Sequence, residues 1–185
     1  MGSRACGECT LCCTLLRVDE LKKLGGTRCR ELRTAPAPPG CGIHGTRPAI
    51  CRAYSCLWLS GGLDETDRPD RLGAVLDVAT EGSVTRLRVH EARPGAYAGS
   101  LRLREIVARY RESMPVRISD VSRAGDPEAP VRELGPAGTE LRIEGDWIVR
   151  IEGVRELSRR RLPWLERGLR RVVLAFRRRR LRGYY

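Results

Sequence analysis

Residues 6–13 read Cys6-Gly7-Glu8-Cys9-Thr10-Leu11-Cys12-Cys13, and residues 41–58 read Cys41-Gly42-Ile43-His44-Gly45-Thr46-Arg47-Pro48-Ala49-Ile50-Cys51-Arg52-Ala53-Tyr54-Ser55-Cys56-Leu57-Trp58. With Cys29 between them, the two stretches hold all eight cysteines of a 185-residue chain. Equal two-residue spacers followed by an adjacent pair are the spacing of thiolates converging on soft metal, where sulfurs must approach within about 2.3 Å of one ion. Were the first run helical at about 100° per residue, Cys6, Cys9 and Cys13 would share a face. Cys12 would then point about 100° away from Cys13, and the adjacent sulfurs would serve different metals.

An even cysteine count also suits a disulfide scaffold. Only Met1–Ala5 precede Cys6, with no apolar export segment, and no apolar run spans a membrane later. The expected compartment is therefore the reducing cytoplasm, and the expected state of the cysteines is metal-bound thiolate. Zinc and an iron-sulfur cluster both accept four thiolates, and the spacing separates them poorly. It lacks the x3-C-P continuation of bacterial ferredoxins and the paired C-x2-C units of zinc ribbons. Eight cysteines can supply two four-sulfur sites, or one site with spare thiols.

The order C-x2-C-x2-C-C, an isolated cysteine, then C-x-I-x3-R-P-x2-C-R-x-Y-x-C resembles the YkgJ-type cysteine-cluster family, described as zinc- or iron-chelating, over residues 6 to about 60. All eight cysteines, Arg47-Pro48 and Arg52 fall on that pattern. The resemblance implies metal chelation by Cys6, Cys9, Cys12, Cys13, Cys29, Cys41, Cys51 and Cys56. The flagellin lysine methylases are similar in the CxxCxxCC run and are associated with an iron-sulfur cluster, which supports iron more than methylation. His44 stands where the family commonly has Tyr. An imidazole there is a candidate ligand, although a position that usually holds a ring more often packs over a site.

Electrostatics give the flanking residues a role with either metal. Four thiolates around Zn²⁺ or a [4Fe-4S]²⁺ core leave a net charge of about −2, which needs donors and cations around it. Arg47 and Arg52 are placed to supply them, or are a solvated pair. Pro48 fixes the turn, and Tyr54 and Trp58 roof the site or fill the core.

The composition, with 41% hydrophobic and 31% charged residues and a net charge of +12, fits one compact domain or a small domain plus an appendage, and the expected fold class is α+β. The expected organisation is a small cysteine-rich metal-bound module over 1–62, a mixed α/β region over 63–153 packed on it, and a basic amphipathic helix over 154–185. Val18 to Leu24 reads as a short helix and Thr34 to Gly40 as a loop. Strand composition marks 73–78 and 84–90, helical periodicity marks 96–111, and Gly145-Asp146 is a hairpin turn between 141–144 and 147–151. Ser122 to Gly138 reads as loop. His90, far in sequence from any cysteine, reads as a packed or surface histidine.

Residues 155–182 hold twelve arginines against Glu156 and Glu166. Beyond Pro163, Leu165, Leu169, Val172, Val173 and Phe176 recur at helical spacing as one apolar stripe. The stripe either packs on the domain or faces an outside partner: an anionic membrane surface, nucleic acid, or an acidic protein. Arginine outnumbers lysine throughout the chain, so only the run Arg177, Arg178, Arg179 and Arg180 rises above background as a candidate contact for nucleic acid or an anionic surface.

There is no Walker loop, no G-x-G-x-x-G, no nucleophile elbow and no C-x3-C-x2-C radical-cofactor spacing. The function expected is that of a cytoplasmic metal-binding protein chelating zinc or an iron-sulfur cluster. The alternatives are an iron-sulfur enzyme acting on protein side chains, and a nucleic-acid-associated module with a structural metal site.

Overall fold

The computed structural model describes residues 4–33, 35–120, 131–136 and 138–181. Three short helices, α1 (Leu11–Leu15), α2 (Ala49–Ala53) and α3 (Pro69–Leu72), lead into a hairpin of β1 (Ala74–Glu81) and β2 (Val84–Glu91). Two further helices, α4 (Ala96–Gly99) and α5 (Leu101–Arg111), carry the chain to β3 (Val116–Asp120). A meander of β4 (Val131–Leu134), β5 (Thr139–Glu144), β6 (Trp147–Glu152) and β7 (Arg155–Arg161) follows, and α6 (Trp164–Leu181) closes the described chain. The result is an α+β fold built on one mixed sheet.

The seven strands lie in chain order, and each pair is antiparallel except β2 with β3. A parallel neighbour demands a crossover, which α4 and α5 provide. The periodic stretch 96–111 divides in two because Ser100 is extended and its hydroxyl accepts a hydrogen bond from Leu103 N at 3.2 Å, capping α5.

Strand alternation separates the two faces of the first four strands. Ala74, Leu76, Leu87, Val89, Val116, Ile118 and Leu134 form a buried cluster with Leu103, Ile106 and Val107 of α5. On the other face Asp77 pairs with Arg88 at 2.7 Å, and Glu133 accepts from both Arg86 at 2.9 Å and Arg117. His90 belongs to this polar face. Its Nε2 is 3.3 Å from Asp77 Oδ2.

The cysteine-bearing segment grips the edge strand β1 from both sides. Leu57 N donates to Leu76 O at 2.7 Å, and Leu57 and Leu63 enter the apolar cluster. Three residues earlier, Tyr54 OH donates to Asp77 on the polar face at 2.9 Å. Arg4 ties the start of the chain to the same place, donating to Trp58 O at 2.7 Å and Leu63 O at 2.8 Å.

The structure corrects three readings of the sequence. Val18 to Leu24 holds only a single 3₁₀ turn, Asp19–Leu21, because Lys22 adopts a left-handed φ of 49° and Val18 pairs with Lys23. Within the stretch read as loop over 122–138, residues 131–134 form β4, while 121–130 and 137 lie outside the described residues. The expected helix over 154–185 begins only at Trp164, since Arg155–Arg161 is strand β7. Every residue of β7 is exposed, so the strand shows no apolar alternation by which to recognise it. It is held by pairing with β6 across the turn at Gly153, whose φ is 59°.

Candidate metal centre

Residues 6–13 are not one helix. Cys6 and Cys9 sit in a turn closed by Cys9 N donating to Cys6 O at 2.9 Å, and α1 starts only at Leu11. The expected shared face of Cys6, Cys9 and Cys13 is therefore absent. Cys12 instead feels the charges of Cys6 and Cys9 as well as that of Cys13. Cys56 feels Cys6, and Tyr54, two residues before Cys56, feels both Cys56 and Cys12. The backbone explains this company, since Arg4 binds the carbonyl of Trp58 and so draws Cys6 toward Cys56.

Cys13 has other neighbours. Cys29 N donates to Cys13 O at 3.1 Å, Leu32 N donates to Cys29 O at 3.2 Å, and Leu32 pairs with Cys41 in an isolated bridge. Cys51, carried by α2, feels Cys13, Cys29 and Cys41. The peptide N–H of Ile50 reaches back to the Glu20 carboxylate at 3.4 Å. The charges therefore link Cys12 to Cys6 and Cys9, and Cys51 to Cys13, Cys29 and Cys41, as two sets of neighbours. The adjacent thiols of Cys12 and Cys13, 3.9 Å apart, stand at the boundary.

This boundary pair shares a hydrogen bond, which raises the Cys12 thiol and lowers Cys13 to about 7. Burial acts against ionisation at both, while Lys23 and Arg47 favour thiolate at Cys13. The two thiols therefore titrate as one coupled pair. Burial raises Cys9, Cys51 and Cys56 as well.

Lys23 is the residue that sequence reading missed. One of only two lysines in the chain, it is 5% exposed, and its ammonium donates to Thr14 O at 3.2 Å and Leu24 O at 3.1 Å, and also to Leu16 O. It thereby caps the carbonyl end of α1. Burial lowers its pKa, and the thiolates of Cys29, Cys13, Cys12 and Cys51 oppose that shift. A buried ammonium among cysteines is a fixed counter-charge for a thiolate site. Its sequence signal was slight: a lysine in an arginine-rich chain, just after an acidic turn.

The flanking residues divide by role. Arg47 lies close enough to lower Cys13, and among the described residues its buried Nε has no hydrogen-bond partner. Arg52 is exposed and donates to Arg47 O at 2.7 Å, so it props the loop that carries Arg47. Tyr54 holds the segment to Asp77, and burial together with the Asp77 carboxylate raises its phenol. His44 is exposed, with Nε2 2.9 Å from Arg47 Nη1. Arginine can only donate, so the Nε2 lone pair is already engaged. The side chains of Arg177, Arg178 and Arg180 lie outside the described residues. Arg179 is exposed on α6, in a part of the chain remote in sequence from the cysteines.

No family model, curated protein or solved structure matches the chain. The site is therefore judged by its donors. All eight cysteines are unbridged thiols, and the buried Lys23 ammonium and an Arg47 whose Nε has no hydrogen-bond partner among the described residues lie among their charged neighbours. That chemistry fits a thiophilic metal or cluster. Among the described residues no three ligand side chains already stand together as a set able to hold an ion.

Proposed function

We propose that this is a metal-binding protein whose eight cysteines hold zinc or iron-sulfur clusters in two four-thiolate groups. Cys6, Cys9, Cys12 and Cys56 would serve one group, and Cys13, Cys29, Cys41 and Cys51 the other. The observation that carries this reading is the buried Lys23 ammonium, held by three backbone carbonyls among unbridged cysteines, with Arg47 adding positive charge at Cys13. A four-thiolate zinc or cluster site bears a net charge of about −2 that must be offset locally. The resemblance of residues 6 to about 60 to the YkgJ-type family supports the same reading. Bound zinc would cross-link the segments, whereas a cluster would add one-electron chemistry.

Elemental analysis with absorption spectroscopy on anaerobically purified protein tests it. Two metal sites per chain are expected, and Cys9→Ser or Cys51→Ser should each remove about half of the metal. Metal-free protein, or full metal content in both variants, would refute the proposal.

A further inference from the structure

The last helix is attached to the domain by its charged side. Asp146, in the β5–β6 turn, lies 3.4 Å from Arg167, 3.7 Å from Arg161 and 4.0 Å from Arg171. Arg170 donates to Gly145 O at 2.8 Å, and Leu162 N donates to Asp146 O at 2.8 Å. These contacts fix the orientation of α6. At about 100° per residue, Leu165, Leu169, Val172, Val173 and Phe176 lie about 140° to 240° around the helix from Arg167. The apolar stripe consequently points away from its anchor. Leu165, Leu169, Val172 and Phe176 are 63–67% exposed, and Trp164 at the start of the helix is 72% exposed. The stripe does not pack on the domain.

An uncovered stripe of this size needs an occupant, and the surrounding charge selects it. Arg179 of α6, about 120° around the helix from Arg167 and so beside the stripe, is exposed, and the exposed Arg155, Arg159 and Arg160 of β7 add to the positive charge of this part of the chain. A second copy would offer apolar surface but would bring like charge against like. A nucleic acid would match the charge and leave Leu165, Leu169 and Phe176 in water. An anionic bilayer offers both negative headgroups and an apolar layer beneath them, and it suits a helix with one aromatic-aliphatic face and arginines around it. Among the described residues no helix is long and apolar enough to cross a membrane, so the mode is interfacial.

We propose that α6 lies in the interface of an anionic lipid surface with Leu165, Leu169, Val172 and Phe176 immersed and Arg179 at the edge of the stripe. The full metal-loaded chain should sediment with phosphatidylcholine vesicles containing phosphatidylserine, lose affinity as salt rises, and ignore vesicles of phosphatidylcholine alone. Leu169→Glu with Phe176→Glu should weaken binding at least about tenfold, and Arg179→Glu several-fold. Both positions are exposed, so circular dichroism and metal content should be unchanged.

Absence of vesicle binding at low salt would overturn the proposal, as would binding at full strength by the double variant. Two further outcomes would also overturn it: nucleic-acid binding that replaces vesicle binding and survives the double substitution, or a dimer in sedimentation equilibrium that the same substitutions dissolve.

Discussion

The two ends of the connection between Tyr54 and Asp77 belong to regions that hold their shape by different means. Beyond residue 56, the first strands and α5 share a continuous apolar cluster in which Leu76, Leu87, Val89, Leu103, Ile106, Val107 and Val116 are almost wholly withdrawn from water. Before it, among the described residues, only Leu15, Val18, Cys29 and Leu32 are buried apolar residues, and α1 and α2 have five residues each. Helices so short gain little from their own hydrogen bonds, and four side chains make a meagre core. The sheet can stand on packing. The cysteine segment has little packing to stand on, and if it holds metal as proposed, metal binding and folding are coupled there.

Metal removal should separate the regions most sharply. Structural zinc contributes on the order of 10–16 kcal/mol of apparent folding free energy in small zinc-dependent peptides. On that reading, a strong chelator should abolish amide exchange protection over residues 6–53 while β1–β3 and α5 keep theirs. Equal loss of protection in both regions would mean that the sheet also depends on metal. No loss in either would mean that thiols and backbone bonds suffice.

The converse perturbation is Leu103→Ala. This side chain is fully buried between α5 and the sheet, so its truncation should cost about 2–5 kcal/mol. Denaturant unfolding followed by circular dichroism should report that loss, and metal content below the transition should stay unchanged. A variant that loses metal in parallel would show the two regions folding as one unit.

Asp77 lies on the seam and tests their coupling through pH. Burial alone would raise its carboxyl, but His90 and Arg88 outweigh burial and hold it at about 2. Because the folded value lies below the ordinary 3.8, ionised Asp77 stabilises the fold above that pH. The contribution fades as pH falls from there toward 2. It amounts to about 2 kcal/mol. Wild-type protein should exceed Asp77→Asn by roughly that margin near neutrality and lose the advantage below pH 2, measured on chelated protein so that metal release does not intervene. A gap independent of pH would assign the effect to the Tyr54 contact alone.

Legibility in the sequence followed the same division. The strands β1 and β2 and the β5–β6 hairpin at Gly145-Asp146 were visible because strand composition and turn chemistry are local. The cysteines were visible because their chemistry is carried by residue type. Three features were hidden, each for a physical reason. β7 has no apolar face and is defined by its neighbour β6. Which cysteines become neighbours depends on hydrogen bonds such as Cys29 N to Cys13 O, which join residues distant in sequence. Lys23 gained its place from burial, and no motif records burial.

The smallest expected effect concerns His44, the one nitrogen ligand that the cysteine stretches offer. If its imidazole were a ligand, His44→Ala would release metal as a cysteine substitution does. In the structure Nε2 faces Arg47 from an exposed 3₁₀ turn, and an exposed polar pair of this kind contributes at most about 1 kcal/mol. Metal stoichiometry in His44→Ala should therefore match wild type, with a shift in stability no larger than that. Arg47→Ala should do more, because Arg47 also supplies positive charge to Cys13. If the two variants lose metal equally, the imidazole belongs to the ligand set and the second group is not four thiolates.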